Sequence, residues 1–527
     1  MPRLAKTALI AVVVMVLAAC AGTPPQHPAA AADTTFTYLN NLDVMTEWDP
    51  ATSYSNEIIA MNNMYEQLTR SVPGSDKVKP LLATSWQQAD HGRTWTFHLR
   101  PNVTFTTGRP LTASAAKAAI ERTISLKGGA AYIWDPVKTI DATGPDTLVF
   151  HLKYAAPLDL IASSAYAAFI YDTRAAGGGS LGKWFDQGHA AGTGPYQVGS
   201  WKKGTEDELH LTRNPDYWGG WSGSHYTAID FKVVPEQTTA VQLLQSGQGS
   251  FIPQLTSSLY KSLEGTAGVS TERSPSFENV LAMLNTASGP LADSRVRQAV
   301  SDAIDYNGIV TTSAGAMSKA TGVVPPGLLG FTNSVQPTTD PAKARSLLSA
   351  AGYSGSKKLT LSLTYAAGDP QLDTIVTLLK SNLAAVGISL QAKALSWPTQ
   401  WSIGKSQDPA KRQDIFLFYW YPDYADPYSW FINLYHSADP PYFNLSYWNN
   451  PQADRMIDSL QALTATNRAA AQQQYVALQQ MISTDAVSPV LGVVNSQRAL
   501  ASSVHGYVDN PAYNAVVFVH DLTPAAG

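Results

Sequence analysis

Cys20 is the only cysteine in a chain of 527 residues. Because a disulfide needs two cysteines, this thiol adds no crosslink to the fold, and apolar cores alone must hold the chain together. A chain of this length exceeds what one hydrophobic core organises, so we expect about three domain-sized units or two large lobes. The 44% of apolar and 14% of charged residues supply such cores and exclude a disordered chain or a coiled coil.

The N-terminal segment has the pattern of a secretory signal peptide. Arg3 and Lys6 precede an apolar run over residues 8–17, and small residues precede Cys20. A retained membrane helix is the alternative, but it needs roughly 20 apolar residues and this run is about half as long. Residues 1–19 are therefore predicted to be a signal peptide that is removed on export.

The residues around Cys20 predict an attachment to the membrane. Leu17-Ala18-Ala19-Cys20 resembles the bacterial lipobox, in which the cysteine thiol is lipidated and becomes the new N-terminus. Residues 21–32 are rich in Ala, Pro and Thr, which is typical of an unstructured tether. We therefore expect residues 20–33 to be a lipidated Cys and flexible tether. The protein would be exported and lipid-anchored at the outer face of the plasma membrane, the periplasmic side if an outer membrane exists.

The charge balance argues against nucleic acid as a partner. The 36 Lys and Arg and the 40 Asp and Glu give a net charge of −4, which offers no positive field for a phosphate backbone. The 13 Trp and 24 Tyr suit a concave site that stacks on ligands.

Local patterns predict an α/β chain. Alternation of apolar and polar residues marks strands at Thr94–Leu99, 148–153, 208–212 and 229–234. Asp340-Pro341 has the N-cap and first-turn proline of a helix, which Gly352 would end. A second helix is expected from Pro370 to Gly387, with an apolar stripe formed by Leu372, Ile375, Val376, Leu379 and Leu383.

Two glycine-rich motifs do not carry catalysis in our interpretation. Gly178-Gly179-Ser180-Leu181-Gly182 fits the G-x-S-x-G pattern of a hydrolase nucleophile, but no His or acid can be assigned to Ser180. A flexible loop is the better interpretation. Residues 177–183 approach the phosphate-binding G-x-x-x-x-G-K, but Trp184 replaces the Ser or Thr that would hold magnesium.

The scattered histidines predict neither a metal site nor a cofactor. The ten His form no H-E-x-x-H pattern and have no cysteine partner for zinc. Asp423 and Asp426 could serve glycoside hydrolysis at a suitable separation, which spacing in sequence does not reveal. A secreted hydrolase that uses Ser180 or these two carboxylates remains the remote alternative.

The densest chemical feature is residues 416–431, where nine aromatic side chains fall in 16 residues. Phe416 and Phe418 are predicted to form a buried strand. Two prolines then interrupt regular structure, and Asp423 and Asp426 stand among rings, which is costly unless something pairs with the charge. A carboxylate beside aromatic walls is suited to receive a cation. Four further rings extend this wall or belong to the core: Tyr442, Phe443, Tyr447 and Trp448.

Several segments together resemble the family 5 extracellular solute-binding proteins, the oligopeptide- and dipeptide-binding lipoproteins of ABC importers. The resemblance runs nearly end to end. Its segments are Trp48-Asp49-Pro50-Ala51, Met64-Tyr65-Glu66-Gln67-Leu68, Pro80-Leu81-Leu82-Ala83-Thr84-Ser85-Trp86, the stretch 94–105 with Gly108-Arg109-Pro110-Leu111-Thr112-Ala113, Gly192-Thr193-Gly194-Pro195-Tyr196, Arg213-Asn214-Pro215-Asp216-Tyr217-Trp218, Leu291-Ala292-Asp293-Ser294-Arg295-Val296-Arg297-Gln298-Ala299 and Ala303-Ile304-Asp305.

The resemblance implies an α/β, two-lobed clamp of the periplasmic-binding-protein type, class II, with an extra domain in the first lobe. Lobe 1 would be assembled from residues 34–57, 189–284 and 491–527. Residues 58–188 would form the extra domain and residues 285–490 would form lobe 2.

The resemblance also implies where a ligand is held. In peptide-binding members an aspartate in the aromatic loop pairs with the ligand's α-ammonium, and Asp423 stands at that position, with Asp426 as the fallback. Some members carry an arginine six positions ahead of the aspartate, where this chain has Leu417. Recognition of a ligand carboxylate, and hence ligand length, therefore stays open. Further ligand contacts are expected from Trp420, Tyr421, Tyr424, Trp430, Trp397 and Trp401.

A substrate-binding lipoprotein of an ABC importer is the function that the resemblance implies. It would capture short peptides by hinge closure and deliver them to permease subunits in the membrane, as a monomer, without enzymatic activity. The same fold also serves nickel chelates, haem, opines and oligosaccharides, so a non-peptide solute is the alternative. A sugar would stack on Trp397, Trp401, Trp420 and Trp430. A structural cell-surface protein is a third possibility.

Overall fold

The structure is a computed structural model that describes residues 34–355 and 357–525. The predicted signal peptide, Cys20 and the tether lie outside these residues. Within the described part of the chain, no helix is long and apolar enough to cross a membrane.

Strands and helices alternate along the described chain. The strands are β1 (Thr35–Asn40), β2 (Thr69–Ser71), β3 (Val78–Pro80), β4 (Ala83–Ala89), β5 (Thr94–Leu99), β6 (Val137–Ala142), β7 (Thr147–Leu152), β8 (Tyr196–Trp201), β9 (Asp207–Arg213), β10 (Ala228–Val233), β11 (Phe251–Ile252), β12 (Val269–Leu284), β13 (Met317–Ser318), β14 (Leu359–Ala366), β15 (Ile388–Leu395), β16 (Ile415–Trp420), β17 (Val490–Ala501), β18 (Val504–His505) and β19 (Thr523–Pro524).

The helices are α1 (Ile58–Met64), α2 (Ala113–Leu126), α3 (Leu158–Ile161), α4 (Leu181–Phe185), α5 (Gln237–Gln245), α6 (Ser257–Leu263), α7 (Ser294–Ala303), α8 (Tyr306–Thr312), α9 (Pro341–Ala350), α10 (Pro370–Ala385), α11 (Trp397–Gly404), α12 (Tyr428–Trp430), α13 (Pro451–Thr466) and α14 (Arg468–Thr484). A π-helical turn, Phe431–Tyr435, follows α12 directly.

One mixed sheet runs through most of the described chain. Its strand order is β15-β14-β16-β12-β17-β11-β1-β10-β9-β8, and β13 also pairs with β17. Strand β1 is parallel to β10, and β14 is parallel to both β15 and β16. We call the part built on β1–β11 the first lobe and the part built on β14–β16 and α7–α14 the second lobe.

The long strands β12 and β17 join the two lobes. They pair antiparallel from Val269 opposite Ala501 to Leu281 opposite Val490. The register shifts between Pro275 and Asn279, and such irregularities bend a strand pair locally. A bend at this place would change the angle between the lobes.

A second, four-stranded sheet lies inside the first lobe, with antiparallel order β4-β5-β7-β6. Strand β5 alternates as its sequence predicts, because Trp95, Phe97 and Leu99 are buried. The apolar cluster that contains Phe97 also contains Phe36 of β1, so one continuous core links this sheet to the rest of the first lobe. The exact domain boundaries therefore stay a prediction.

The local predictions are confirmed where the pattern was strong. The predicted strands coincide with β5, β7, β9 and β10, with ends within one residue. The carboxylate of Asp340 accepts a 2.9 Å hydrogen bond from the Lys343 N–H and caps α9. In α10 all five residues of the expected stripe are buried. The prediction of an α/β chain is confirmed.

Ser180 is a helix cap. Its hydroxyl accepts a 3.4 Å hydrogen bond from the Lys183 N–H at the start of α4. Residues 173–180 contain no strand, so the strand-to-helix turn of a hydrolase nucleophile is not formed here. Residues 178–180 are non-helical, as a loop predicts, whereas Leu181 and Gly182 belong to α4.

Candidate ligand-binding site

The aromatic segment starts in a central strand and ends at the boundary between the lobes. Strand β16 pairs with β12, with Trp420 opposite Asn279, and Phe416 and Phe418 are buried as predicted. The chain leaves the strand at Tyr421 and forms a loop over residues 421–427. This loop therefore begins on a strand that is fixed by its neighbours on both sides.

Asp423 lies in this loop and is 7% exposed. Its Oδ1 accepts a 2.8 Å hydrogen bond from the Tyr132 hydroxyl, and its main-chain oxygen accepts a 2.7 Å hydrogen bond from the Ser164 hydroxyl. Burial raises the pKa of Asp423 to about 6, and the hydrogen bond from Tyr132 acts in the opposite direction. No described Lys, Arg or His contributes to this pKa. The carboxylate is a buried anion that lacks a cationic partner among the described residues.

A cavity of about 700 Å³ lies beside Asp423, between the first and second lobes. We call it the Asp423 cavity. Its volume falls in the range of about 300–1,000 Å³ that small-molecule sites occupy. It is lined from the first lobe by Thr52, Tyr54, Lys127, Gly129, Tyr132, Ile133, Asp135, Pro136 and Tyr154, and from the second by Asp423, Tyr424, Tyr428, Ser429, Ile432, Asn433, Tyr442, Phe443 and Gln461.

Four tyrosines lie next to Asp423, three from the first lobe and Tyr421 from the second. The hydroxyls of Tyr54 and Tyr132 are 3.2 Å apart, and those of Tyr166 and Tyr421 are 3.0 Å apart. The rings of Tyr54 and Tyr166 meet edge to face at 5.3 Å. The Tyr166–Tyr421 contact and the two hydrogen bonds to Asp423 join the aromatic loop to the first lobe.

A second cavity of about 710 Å³ lies along β12 and β17 and is lined by residues of both lobes. We call it the Glu278 cavity. Burial, with a contribution from the charge of Asp369, raises the pKa of Glu278 to about 7. Asp369 caps α10 and accepts a 2.8 Å hydrogen bond from the Tyr419 hydroxyl. Arg498 also lines this cavity, but its guanidinium is paired with Asp509 at 2.9 Å.

The structure brings some of the predicted site residues to the cavity. Asp423 and Tyr424 line it directly. Tyr421 is 37% exposed and contacts Tyr166. Trp420 packs at 5.0 Å against Phe443, which lines the cavity.

Other predicted site residues lie elsewhere. Asp426 is 1% exposed, and its Oδ1 accepts a 2.9 Å hydrogen bond from the Tyr475 hydroxyl within the second lobe. Trp430 is fully buried in an apolar core and donates to Asn279 Oδ1 at 3.0 Å. Trp397 is 46% exposed and stacks at 5.4 Å on Trp401, which packs behind Phe443. None of these four lines either cavity.

Leu417, where some family members have arginine, is fully buried within β16. It lines neither of the two cavities. The described part of the chain holds no cluster of His, Cys, Asp or Glu that could bind a metal ion.

Sequence reasoning did not identify several residues of this site. Tyr54 and Tyr132 come from the first lobe, far from the aromatic segment in sequence, and only the approach of the lobes places them beside Asp423. Gln461 lies on α13, and a single glutamine in a helix gives no sequence signal of a binding site. Glu278 is one polar residue in a long strand. No local signal marked these positions.

Comparisons with known proteins decide the family. Residues 77–442 match the family described as bacterial extracellular solute-binding proteins, family 5 Middle. This chain belongs to that family. The match covers more than half of the chain, and the two-lobed fold predicted from the resemblance is confirmed by solved structures of similar shape.

Family 5 relatives match along most of their length. The chain is 28% identical over 498 residues to the probable D,D-dipeptide-binding periplasmic protein DdpA of Escherichia coli K12, covering 90% of this chain and 92% of that protein. The solved DppA of Helicobacter pylori, in complex with peptide STSA, has a TM-score of 0.75 and 21% identity over 93% of this chain and 98% of its own. NikA of Brucella suis, in complex with Fe(III)-EDTA, has a TM-score of 0.82 and 21% identity, and the match covers 93% of this chain and 100% of NikA.

Proposed function

We propose that this solute-binding protein captures short peptides with a free α-ammonium group in the Asp423 cavity and delivers them to an ABC permease. One observation carries the proposal: Asp423 is a buried carboxylate at the wall of an interlobe cavity, and no described cation neutralises it. The family membership indicates that the protein binds a solute, and the buried carboxylate indicates that this solute carries a positive charge.

The physical reason is the cost of burying an isolated charge. A carboxylate in a closed cavity is unfavourable unless a cation with good hydrogen-bond geometry pairs with it. An ammonium group carries up to three N–H donors, and charge-assisted hydrogen bonds of this kind are the stronger ones. The ammonium of a peptide therefore supplies what Asp423 lacks.

The aromatic walls favour the same class of ligand. Tyr54, Tyr132 and Tyr424 line the cavity together with Phe443. Ring faces attract a cation by about 0.5–2 kcal/mol, depending on desolvation. The rings also bind the apolar parts of a peptide without demanding one sequence.

Relatives support a peptide as the solute. DdpA is named as a probable D,D-dipeptide-binding protein, and DppA was solved with a bound tetrapeptide. At 21% identity the likenesses to DppA and to NikA, which was solved with Fe(III)-EDTA, both show the fold alone, and the described residues form no cluster of His, Cys, Asp or Glu that could hold a metal ion. The acidic cavity wall therefore favours a cationic end of a peptide.

Capture would occur by closure of the lobes about β12 and β17. The aromatic loop belongs to the second lobe, whereas Tyr132, Ser164 and Tyr166 belong to the first. Opening the lobes breaks these hydrogen bonds and admits the ligand. Closing them again excludes water from Asp423 and strengthens its attraction for the ammonium.

Lipidation of Cys20 would keep the protein at the membrane, beside its permease. The lipobox-like Leu17-Ala18-Ala19-Cys20 and the apolar run before it support this part of the proposal. Mass spectrometry of the mature N-terminal peptide is expected to find a lipid on Cys20, and Cys20→Ser is expected to release the protein from the membrane fraction. An unmodified mature N-terminus upstream of residue 20 would contradict it.

Isothermal titration calorimetry with a short peptide and its N-acetylated form tests the binding role. Acetylation removes the positive charge, and Asp423→Asn removes its partner. Each change is expected to weaken binding by about 2–5 kcal/mol, or roughly 30- to 5,000-fold. Asp186→Asn, an exposed carboxylate outside both cavities, is the matched control. Equal affinity for both peptide forms, or binding of sugars alone, would overturn the proposal.

A further inference from the structure

Glu278 is a second carboxylate that faces an interlobe cavity without a partner. It lies on β12 and lines the Glu278 cavity of about 710 Å³. Its main-chain N–H donates to Ser276 Oγ at 3.0 Å, but its carboxylate forms no hydrogen bond or ion pair with the described residues. The residue is half-buried, and both carboxylate oxygens keep solvent-accessible surface. A ligand in the cavity can therefore reach them.

The other charged side chains that line this cavity already have partners. They are Asp369 and Arg498. Arg498 is 2% exposed and forms a 2.9 Å ion pair with Asp509. Asp369 caps α10 and accepts a 2.8 Å hydrogen bond from the Tyr419 hydroxyl. Glu278 is therefore the charged group of this cavity that still lacks a donor among the described residues.

The electrostatics of the cavity favour a positive charge. Burial raises the pKa of Glu278 to about 7, and the charge of Asp369 acts in the same direction. A cation in the cavity would stabilise the ionised form of Glu278 and would also offset the charge of Asp369. A neutral group would leave the carboxylate without a charged partner, and an anion would be repelled. The cavity therefore selects a cationic group.

Tyr421 lies between Glu278 and Asp423. Asn279 pairs with Trp420 in the β12–β16 ladder, so Glu278 and Tyr421 come next at the end of that ladder, and both line one small pocket. Burial raises the pKa of Tyr421 to about 12, and the charges of Glu278 and Asp423 both contribute. Asp423 is two residues beyond Tyr421, at most about 7 Å of extended chain. One tripeptide therefore spans the two carboxylates.

We propose that Glu278 binds a basic side chain, Lys or Arg, of the same peptide whose α-ammonium is held by Asp423. The main chain of a peptide carries one cation, the α-ammonium, and otherwise neutral amides and a terminal carboxylate. A second positive charge on the ligand must therefore come from a side chain. This inference rests on the proposed function, because it places the α-ammonium at Asp423. The preferred cargo is then a short peptide with at least two positive charges.

Calorimetry with tripeptides that carry one lysine tests the preference. Lys-Ala-Ala, Ala-Lys-Ala and Ala-Ala-Lys are each compared with the peptide that has norleucine at the same position, which keeps the aliphatic chain and removes the charge. At one of the three positions we expect lysine to bind about 10- to 100-fold more tightly than norleucine, the gain that hydrogen bonds to a charged group provide. Acetylation of the Nζ of that lysine should abolish the preference.

Glu278→Gln assigns the preference to this side chain. The variant should lose the preference for lysine over norleucine, through weaker binding of the lysine peptide. Glu272→Gln makes the same change at an exposed position of β12 that lines neither cavity, and it should leave the preference intact. Because the readout is a ratio between two ligands, a change in the stability of a variant does not imitate it.

Proton release gives an independent readout. At pH 7 a carboxyl group with a pKa of about 7 is about half protonated, and a cation beside it drives the proton off. Binding of the preferred lysine peptide should therefore release about half a proton more than binding of its norleucine analogue. Binding enthalpies in buffers of different ionisation enthalpy measure this difference, and Glu278→Gln should abolish it.

The outcomes separate this inference from the proposed function. Equal affinities of the lysine and norleucine peptides at all three positions, with binding still lost on N-terminal acetylation, would overturn the Glu278 subsite and leave the ammonium receptor standing. Affinities that do not respond to N-terminal acetylation would overturn the proposed function, and with it an inference that needs the α-ammonium at Asp423. A lysine preference that persists in Glu278→Gln would also contradict the inference, because another part of the protein would then bind the side chain.

Discussion

The hydroxyl of Tyr132 donates a 2.8 Å hydrogen bond to Oδ1 of Asp423, which is 291 residues away in sequence. The donor belongs to the first lobe and the acceptor to the second. This contact is the one hydrogen bond to the Asp423 carboxylate among the described side chains. Separation of the lobes, as proposed above, would break this contact and would thereby couple closure to the charge state of Asp423.

The pH dependence of binding follows from this hydrogen bond. In the proposed function the ligand ammonium pairs with the ionised carboxylate, so affinity should be full above the pKa of Asp423, about 6, and should be lost as the pH falls through it. Tyr132→Phe removes a hydrogen bond that lowers this pKa, so the midpoint of the loss should move to higher pH. Peptide affinity measured by calorimetry from pH 4.5 to 7.5 checks this. Tyr353→Phe, which lines neither cavity, should leave the midpoint in place, and an unmoved midpoint in Tyr132→Phe would contradict the coupling.

Asp423→Asn is expected to stabilise the ligand-free protein. The pKa of Asp423 rises from 3.8 to about 6 on folding, so the folded state binds more protons between these values. Its stability therefore falls as the pH rises through this window, and the penalty is complete at pH 7. Removing the charge should raise the free energy of unfolding at pH 7 by on the order of 2–3 kcal/mol. Urea unfolding, with Asp186→Asn as the control, measures the change; a destabilised Asp423→Asn protein would count against a buried, unpaired anion.

Glu278→Gln is expected to have a similar effect in a different pH range. Burial and the charge of Asp369 raise the pKa of Glu278 from 4.5 to about 7. The wild-type protein should therefore lose stability relative to the variant as the pH rises from about 4.5 to 7, and the difference should be constant at higher pH. Unfolding curves of the two proteins at matched pH values give the difference. A difference that does not vary over this range would show that Glu278 is solvated in the folded protein.

Asp509→Ala should be strongly destabilising. Asp509 forms a 2.9 Å ion pair with Arg498 of β17, and both side chains are less than 5% exposed. Burial alone would raise the pKa of Asp509, but the Arg498 guanidinium and the Ser274 hydroxyl hold it below its usual range. Truncation leaves Arg498 buried without a partner, which costs about 3–5 kcal/mol. Because this pKa is depressed, the stability that the pair gives is present above about pH 4 and is lost in stronger acid.

Thermal and urea unfolding at pH 7 measure the cost of Asp509→Ala. Asp207→Ala provides a comparison, because the Asp207 side chain is 76% exposed, so water screens its ion pair with Lys232, which should contribute about 1 kcal/mol or less. Equal effects of the two substitutions would contradict the importance of burial at Arg498.

Local structure was predictable because local chemistry determines it. Asp340 and Pro341 start α9 as their cap and first-turn positions predict, and the spacing of Leu372 to Leu383 defines the buried face of α10. The burial of Phe416 and Phe418 followed from an apolar run on a central strand. These elements needed no knowledge of the rest of the chain.

The site was predictable only in part, because it is assembled from distant segments. Asp423 could be proposed from the sequence because a carboxylate within an aromatic segment is unusual, whether that segment lies in a core or at a cavity. Tyr132 could not, because only the meeting of two lobes brings it to Asp423. Gln461 could not, because it lies on α13, in the same lobe as Asp423 but on a different element. Trp430 illustrates the converse: its place in an aromatic segment suggested a ligand contact, yet the helical turns after Pro427 direct its ring into the core.

A crystal structure of the protein with a bound short peptide tests the central claim most directly. The distance to measure is that between the N-terminal nitrogen of the peptide and the carboxylate oxygens of Asp423. We predict about 2.7–3.0 Å, the length of a charge-assisted hydrogen bond. A peptide whose ammonium instead contacts Glu278 in the other cavity, with Asp423 still bonded to Tyr132 alone, would contradict the account.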